Sequence, residues 1–270
     1  MSLEDTIDRI KSGVYNIVFI DSKNNRLGGG TCFLSLNYLI TNSHVARAPN
    51  GCRVWIRRNG ENDTKSGIIL SQIEFNQLVV SRSEENNYDF AILNIPNGMK
   101  ITSAHNFRLS TSSVCRPGQD VAFIGYPFEH LNITCHRGTI SSLYKSGITE
   151  VIQIDGSVNP SNSGGPLFIP ETGEVICIIT RKETGLTRAF SSLRATINSN
   201  ISLINNMGGD MFVAGVSYKQ TILSGQRQIL LTLGEIERQA NVGIGYAFSI
   251  DHLKNDNIIH DAMQKAAADS

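Results

Sequence analysis

The sequence predicts an all-β architecture of sandwich or barrel type with a helical insertion, and three observations predict it. From about residue 13 to 180, short apolar runs of β-branched and aromatic residues alternate with turn signals. Many short strands at that spacing build sandwiches or barrels, and a helical reading of the region fails. From about residue 190 to 240 the apolar residues recur at helical spacing instead, and one further strand and a last helical segment follow.

In chain order, the predicted strands are "VYNIVFI", "TCFLSL", "YLIT", "CRVWIR", "GIILSQI", "LVVS", "FAILNI", "DVAFIGY", "HLNIT", "GTISSLY", "VIQI" and "EVICIIT". The first helix of the insertion rests on Leu193, Ile197, Ile201 and Ile204. The second rests on Tyr218, Ile222, Ile229, Leu233 and Ile236, and is weakened by Gly225 and Gly234. "VGIGYAFSI" supplies the closing strand, and a helix runs from about Asp251 to Ala267.

Bulk properties narrow the function classes. The chain has 270 residues, 40% of them hydrophobic, enough to bury a sizeable core. Lys plus Arg and Asp plus Glu both total 24, so bulk charge selects neither nucleic acid nor an anionic membrane. No apolar run approaches the ~20 residues that span a bilayer. "MSLEDTIDRIKSGVYNIVFI" lacks the basic start and long apolar run of a secretory signal. The five cysteines are odd in number and never closely paired, which predicts neither a disulfide framework nor a zinc site and suits a reducing cytoplasm. Cys135 and His136 stand next to each other without a second pair, so they read as ordinary strand residues rather than metal ligands.

The stretch "SVNPSNSGGPLF", residues 157–168, cannot be regular structure before Leu167. It places Ser163 on a tight turn whose neighbours allow an exposed hydroxyl and converging amide N–H groups. An acyl-transfer nucleophile needs that arrangement; a plain glycine-rich hairpin turn is the alternative. A serine hydroxyl also requires a base, and the base a buried carboxylate that fixes its tautomer. "GGGTCFLSLNYLITNSHVA" delivers His44 onto a turn after a strand, and "NNYDFAILNI" sets Asp89 just before one. Taken singly, His44 reads equally as a capping or core histidine and Asp89 as a turn aspartate.

In "TNSHV", "YDFAILNI", "AFIGYPF", "RGTISS", "NPSNSGGPLF", "GEVICIIT" and "GIGYAFSI", the chain resembles the chymotrypsin-fold serine peptidases, most of all their HtrA-type branch. The resemblance covers roughly residues 14–182 and 242–255 and leaves the helical insertion unmatched. It implies two antiparallel six-stranded β-barrels with a cleft between them: residues 1–108 carrying His44 and Asp89, and 109–270 carrying Ser163, the insertion and a C-terminal helix. It implies Ser163 as nucleophile, His44 as general base and acid, and Asp89 as orienting carboxylate. It also implies an oxyanion hole from the amides of Ser161 and Ser163 with Asn162 between them, and no metal or cofactor. The expected partner is a protein or peptide substrate bound as an extended strand along Thr180, Arg181 and Lys182.

The sequence departs from that pattern in several places. Ser161 stands where the family usually has glycine, which leads us to expect an oxyanion loop that is not preformed. Asn162 replaces the aspartate that pairs with a new N-terminus in pancreatic enzymes, and Val45 replaces the cysteine of secreted relatives. Ser157 at the expected pocket floor and Val158 beside it predict a preference for a small or medium apolar side chain before the scissile bond. HtrA-type relatives often carry a peptide-binding PDZ domain, for which there is no room before Ser270. The insertion is expected at the rim of the specificity pocket, either as a regulator or partner site or as a stabilising decoration that packs its apolar stripes on the second barrel. The competing functional readings are a catalytically silent module that binds extended peptides or acts as a scaffold, and an esterase using the same triad.

Overall fold

The computed structural model describes residues 2–60, 67–101, 103–127, 130–180, 185–240 and 243–268. A short helix α1 (Leu3–Ile10) is followed by β1 (Val14–Ile20), β2 (Arg26–Ser35), β3 (Tyr38–Thr41), β4 (Arg53–Arg58), β5 (Ile68–Ser71), α2 (Gln72–Leu78), β6 (Val79–Arg82) and β7 (Ala91–Leu93). Then come β8 (Asp120–Gly125), β9 (Thr134–Ser146), β10 (Thr149–Asp155), β11 (Pro166–Phe168) and β12 (Val175–Thr180). The insertion holds α3 (Gly185–Asn206), β13 (Phe212–Val213), β14 (Val216–Ser217) and α4 (Tyr218–Ala240), and the chain continues with β15 (Ile244–Ser249), α5 (Ile250–Lys254) and α6 (Asn257–Ala268). By contacts it divides into two compact units, Met1–Arg181 with Gly243–Ser270, and Lys182–Val242.

The first sheet has seven antiparallel strands in the order β5-β4-β1-β2-β3-β7-β6. Two closed six-stranded barrels are the sequence expectation; this sheet differs, since no ladder joins β5 to β6 among the described residues. Helix α2 stands between those strands and separates them. It starts with a capping box in which Ser71 accepts from the Glu74 amide while the Glu74 carboxylate takes the Ser71 N–H. Such a cap contributes about 1 kcal/mol. The signature S-x-x-E was present in "SQIE", inside a stretch read as strand.

The second sheet is a closed barrel, β10-β15-β12-β11-β8-β9, so the chain is mostly β with one closed barrel and one open sheet. Four clusters form the core of this unit, the smallest of them Val18, Ile20 and Trp55 on the first sheet. Tyr15, Ile17, Cys32, Leu34 and Leu39 fill the first sheet. Val121, Phe123, Ile152, Cys177 and Ala247 fill the barrel. Phe33, Ile40 and Ile92 meet Ile124, Tyr126, Phe168 and Ile178 in a third cluster shared by both sheets, with Ile10, Ile250, Leu253 and Ile259 at its edge. Strand β2 shows how the period of two builds this: Cys32 and Leu34 enter one cluster, Phe33 the other.

In the other unit α3 and α4 pack on each other, joined by a β-hairpin whose turn residues Ala214 and Gly215 both have positive φ, 49° and 79°. Both helices fall where periodicity places them. Their buried residues are Ile197, Leu223 and Leu233, whereas Ile222, Ile229 and Ile236 of the predicted apolar stripe are exposed. Leu193 and Tyr218 of the predicted stripes are exposed as well, and on α4 Leu223 is buried where Ile222 is expected.

Three histidines are held below the ordinary imidazole value of 6.5 by burial. His136 stacks on Phe123, and His252 stacks on Tyr88 at 4.0 Å while its Nε2 accepts the Glu150 amide at 3.0 Å. Because the folded state favours the neutral rings, their stabilisation is complete above about pH 6.5 and is lost as pH falls toward the lowered folded values. Melting temperature should hold steady above pH 7 and drop below 6.5, by about 2–4 °C per kcal/mol lost. His252→Gln, which keeps an acceptor for Glu150, should flatten that slope; an unchanged slope would assign the effect elsewhere.

Candidate active site

Antiparallel pairing of β3 with β7 sets Thr41 against Ala91. The residues just past the end of β3 therefore lie beside those just before β7, which brings His44 and Asp89 together. Asn42 Nδ2 and the Ser43 amide both donate to the Asp89 carbonyl, at 2.8 and 3.2 Å, and fix Asp89 at φ 46°. The carboxylate is nearly fully buried. It accepts the His44 amide at 3.0 Å on Oδ1, and on Oδ2 it meets His44 Nδ1 at 2.7 Å and the Thr180 hydroxyl at 2.9 Å. A carboxylate accepts and does not donate, so Nδ1 carries the ring proton and Nε2 keeps its lone pair.

Ser163 lies on the loop before β11. Its carbonyl accepts the Thr31 amide of β2 at 2.9 Å, while Gly164 N donates to Ile179 O at 2.8 Å and Ile179 N to Gly165 O at 2.9 Å. The loop fits because two glycines leave room. A β-carbon on Gly30 would lie 2.6 Å from Val45 and 3.0 Å from Ser163 O; one on Gly164, at φ 88°, would lie 2.1 Å from Thr31 O and 2.2 Å from Thr41 Oγ1. The Ser163 loop is thus pressed against the turn that bears His44. Among the described residues no hydrogen bond joins the Ser163 hydroxyl to the imidazole. In unliganded hydrolases that contact is often long and tightens when substrate arrives.

Ser161 adopts the left-handed φ of 73° that glycine would take without strain. Its hydroxyl accepts from Arg26 Nη2 at 2.9 Å and its carbonyl from Thr31 Oγ1 at 2.8 Å. The Asn162 amide, expected between the two oxyanion donors, is engaged with Asn159 O at 3.1 Å. Among the described residues the amides of Ser161 and Ser163 have no partner, and the buried Asn162 side chain has none for either polar atom.

Of the residues expected to set specificity, Ser157 accepts the Gly243 amide on its hydroxyl at 3.3 Å, and Val158 belongs to the barrel core. Thr180 is buried, with its hydroxyl donating to Asp89. Arg181 and Lys182 lie outside the described residues. Two contributors were missed by sequence reasoning. Arg26 gave no signal, being one cation before a glycine run. Gly245 was inside a quoted motif: a β-carbon there would lie 2.5 Å from Val158 Cγ2 and 2.9 Å from Gly156 O, so it keeps β15 close to the 156–158 segment. Among the described residues no group of three or more His, Cys, Asp or Glu side chains is placed to hold a metal ion.

Residues 28–178, which contain His44, Asp89 and Ser163, match the family model of the trypsin-like peptidase domain. The chain belongs to the trypsin-like peptidase domain family. Within it, this trypsin-like domain is 29% identical over 201 residues to the "Probable periplasmic serine endoprotease DegP-like" of Buchnera aphidicola, covering 72% of this chain and 38% of the relative. It is 34% identical over 175 residues to the "Serine protease Do-like HtrB" of Bacillus subtilis, covering 60% and 33%. The chain thus spans little more than a third of the length of these relatives. Among solved structures it is similar in fold to the HtrA-type protease AlgW with decapeptide, at TM-score 0.56 and 18% identity, covering 98% of this chain and 68% of that one. The same protease with tripeptide gives a TM-score of 0.50 at 24% identity, covering 67% and 54%.

The packing around Gly164 in this trypsin-like domain gives a direct test. Gly164→Ala adds an atom where two oxygens already lie within 2.2 Å and imposes a disfavoured φ. It should destabilise the fold by about 2–4 kcal/mol. A denaturant midpoint equal to that of the parent chain would contradict this account of the loop.

Proposed function

We propose that this chain is a serine endopeptidase of the HtrA/Deg type that cleaves peptide bonds through an acyl-enzyme. The observation that carries the reading is the imidazole of His44, pinned through Nδ1 by the Asp89 carboxylate at 2.7 Å with Nε2 left to accept a proton, on the turn against which the Ser163 loop is packed. In this reading Nε2 takes the Ser163 proton as Oγ attacks the substrate carbonyl carbon. The tetrahedral oxyanion is met by the amides of Ser161 and Ser163. Collapse breaks the C–N bond, and His44 gives its proton to the leaving amine. Water, deprotonated by the same nitrogen, then releases the acyl group. Asp89 holds the ring, and the Thr180 hydroxyl and the His44 amide, both donating to the carboxylate, keep it in place.

The substrate is proposed to be a protein or peptide laid as a strand beyond β12 at Thr180–Lys182, with a small apolar residue before the scissile bond. The peptide-bound AlgW structures of similar fold support the first part. The second rests on the uncharged Ser157 at the expected pocket floor and on the apolar Val158 next to it in the chain. The periplasmic name of the DegP-like relative takes away the support that cysteine count lends to a cytoplasmic location.

A fluorophosphonate probe should label Ser163, and Ser163→Ala should abolish labelling and lower peptide turnover about a millionfold. A peptide library should then show Ser163-dependent cleavage after small apolar residues. No labelling of the parent chain would favour the silent peptide-binding or scaffold reading, and labelling with ester but no peptide turnover would favour an esterase.

Regulation by the insertion is part of the same proposal. It leaves the barrel one residue past Thr180, which bonds Asp89, and returns at β15, the strand paired with β12. Replacing residues 182–242 with a short Gly/Ser linker is expected to raise kcat/KM on short peptides about fivefold or more by removing a gate. Unchanged rates would dispose of the regulatory role.

A further inference from the structure

We propose that Arg26 is a positioning residue that holds the oxyanion loop in its working conformation, replacing by a cross-sheet latch the glycine this loop lacks. Ser161 sits at φ 73°, a conformation that a β-carbon disfavours and that persists only where the surroundings dictate it. Two hydrogen bonds dictate it, and both come from β2 of the other sheet: Arg26 Nη2 to Ser161 Oγ at 2.9 Å, and Thr31 Oγ1 to Ser161 O at 2.8 Å. Only a side chain with an acceptor can take the first of these, so the residue that strains the loop also supplies the handle that holds it.

The strand is built to deliver both donors to one face. Residues 26 and 31 are five apart, which on a regular strand puts their side chains on opposite faces. The ladder with β1 slips by one at that point, pairing Phe19 with Gly28 and Ile20 with Arg26, so that Leu27 is an extra residue. Such a bulge re-aims the side chains beyond it. It turns Arg26 from the face of Cys32 and Leu34, which fill the first sheet's core, to the face of Thr31. The same register leaves Leu27 exposed.

The inference rests on the reading of Ser163 as nucleophile and Ser161 N as an oxyanion donor. With the latch gone, the Ser161 peptide unit is free to leave the left-handed region and turn its amide from the oxyanion. That loss affects the transition state more than substrate binding. Arg26→Ala is therefore expected to lower kcat about tenfold to a hundredfold with KM changed less than about twofold, and Arg26→Lys to recover most of the loss. Glycine tolerates the positive φ unaided. In a Ser161→Gly background, Arg26→Ala should change kcat by no more than about threefold, a non-additivity that a merely structural arginine would not produce.

The experiment measures kcat and KM for these four variants beside the parent chain, after fluorophosphonate labelling of Ser163 in the parent. Arg26→Gln stands in if the alanine variant does not fold, and its loss should likewise vanish in the glycine background. An unchanged kcat in Arg26→Ala, or an equal loss with and without Ser161→Gly, would overturn the latch while labelling keeps the nucleophile. Absence of labelling in the parent chain would sink the nucleophile and the latch together.

Discussion

Thr31 ties the sheet that holds the imidazole to the loop that carries Ser163 through its amide and its hydroxyl, while its carbonyl fixes the neighbouring strand β3. Its amide donates to Ser163 O, its carbonyl accepts from the Thr41 hydroxyl, and its own hydroxyl donates to Ser161 O while accepting the Tyr126 amide. The residue is fully buried, so losing any one partner would strand a polar atom away from water, at a cost of about 1–3 kcal/mol. The position of Ser163 relative to His44 is in this sense a property of β2. The glycines at 30 and 164 serve the same constraint, since each removes a side chain that would push the loop away.

Two of the non-glycine residues at positive φ, Asp89 and Ser161, lie in this one region. Each costs on the order of 1 kcal/mol or more and is held by bonds from several directions. Asp89 is fixed through its carbonyl by Asn42 and Ser43, which frees the carboxylate for His44 and Thr180. Asn162 is the least settled member, with a buried side-chain amide that has no partner for its oxygen or its nitrogen among the described residues. A buried polar group of that kind ordinarily meets water.

Much of this was legible in the sequence because it depends on local rules. Alternation and turn residues located the strands, the 3.6 period located both helices of the insertion, and the places of His44 and Asp89 at strand ends anticipated their contact. What escaped depends on register and tertiary contact. The first sheet stays open because a helix of seven residues interrupts its margin, and that helix was hidden in an apolar stretch whose capping signal was local but overlooked. Arg26 could not be found from its neighbours, since a bulge in the ladder decides which way it points. Thr180 was placed on the right strand, yet its hydroxyl serves the carboxylate. On α4 the structure buries Leu223 where the sequence pattern favours Ile222, a one-position difference that periodicity alone resolves poorly.

Strand β15 lies between β10 and β12 in the closed barrel, yet it follows residues 182–242 in the chain. As the polypeptide leaves the ribosome, the first sheet is complete once Leu93 has emerged, whereas the barrel remains a ladder with two raw edges until the whole insertion has been made. β12 supplies the Thr180 hydroxyl and the Ile179 backbone that anchor Asp89 and the Ser163 loop, and its outer edge goes unsupported for that interval. Order of synthesis thus postpones closure of the barrel until β15 has been made.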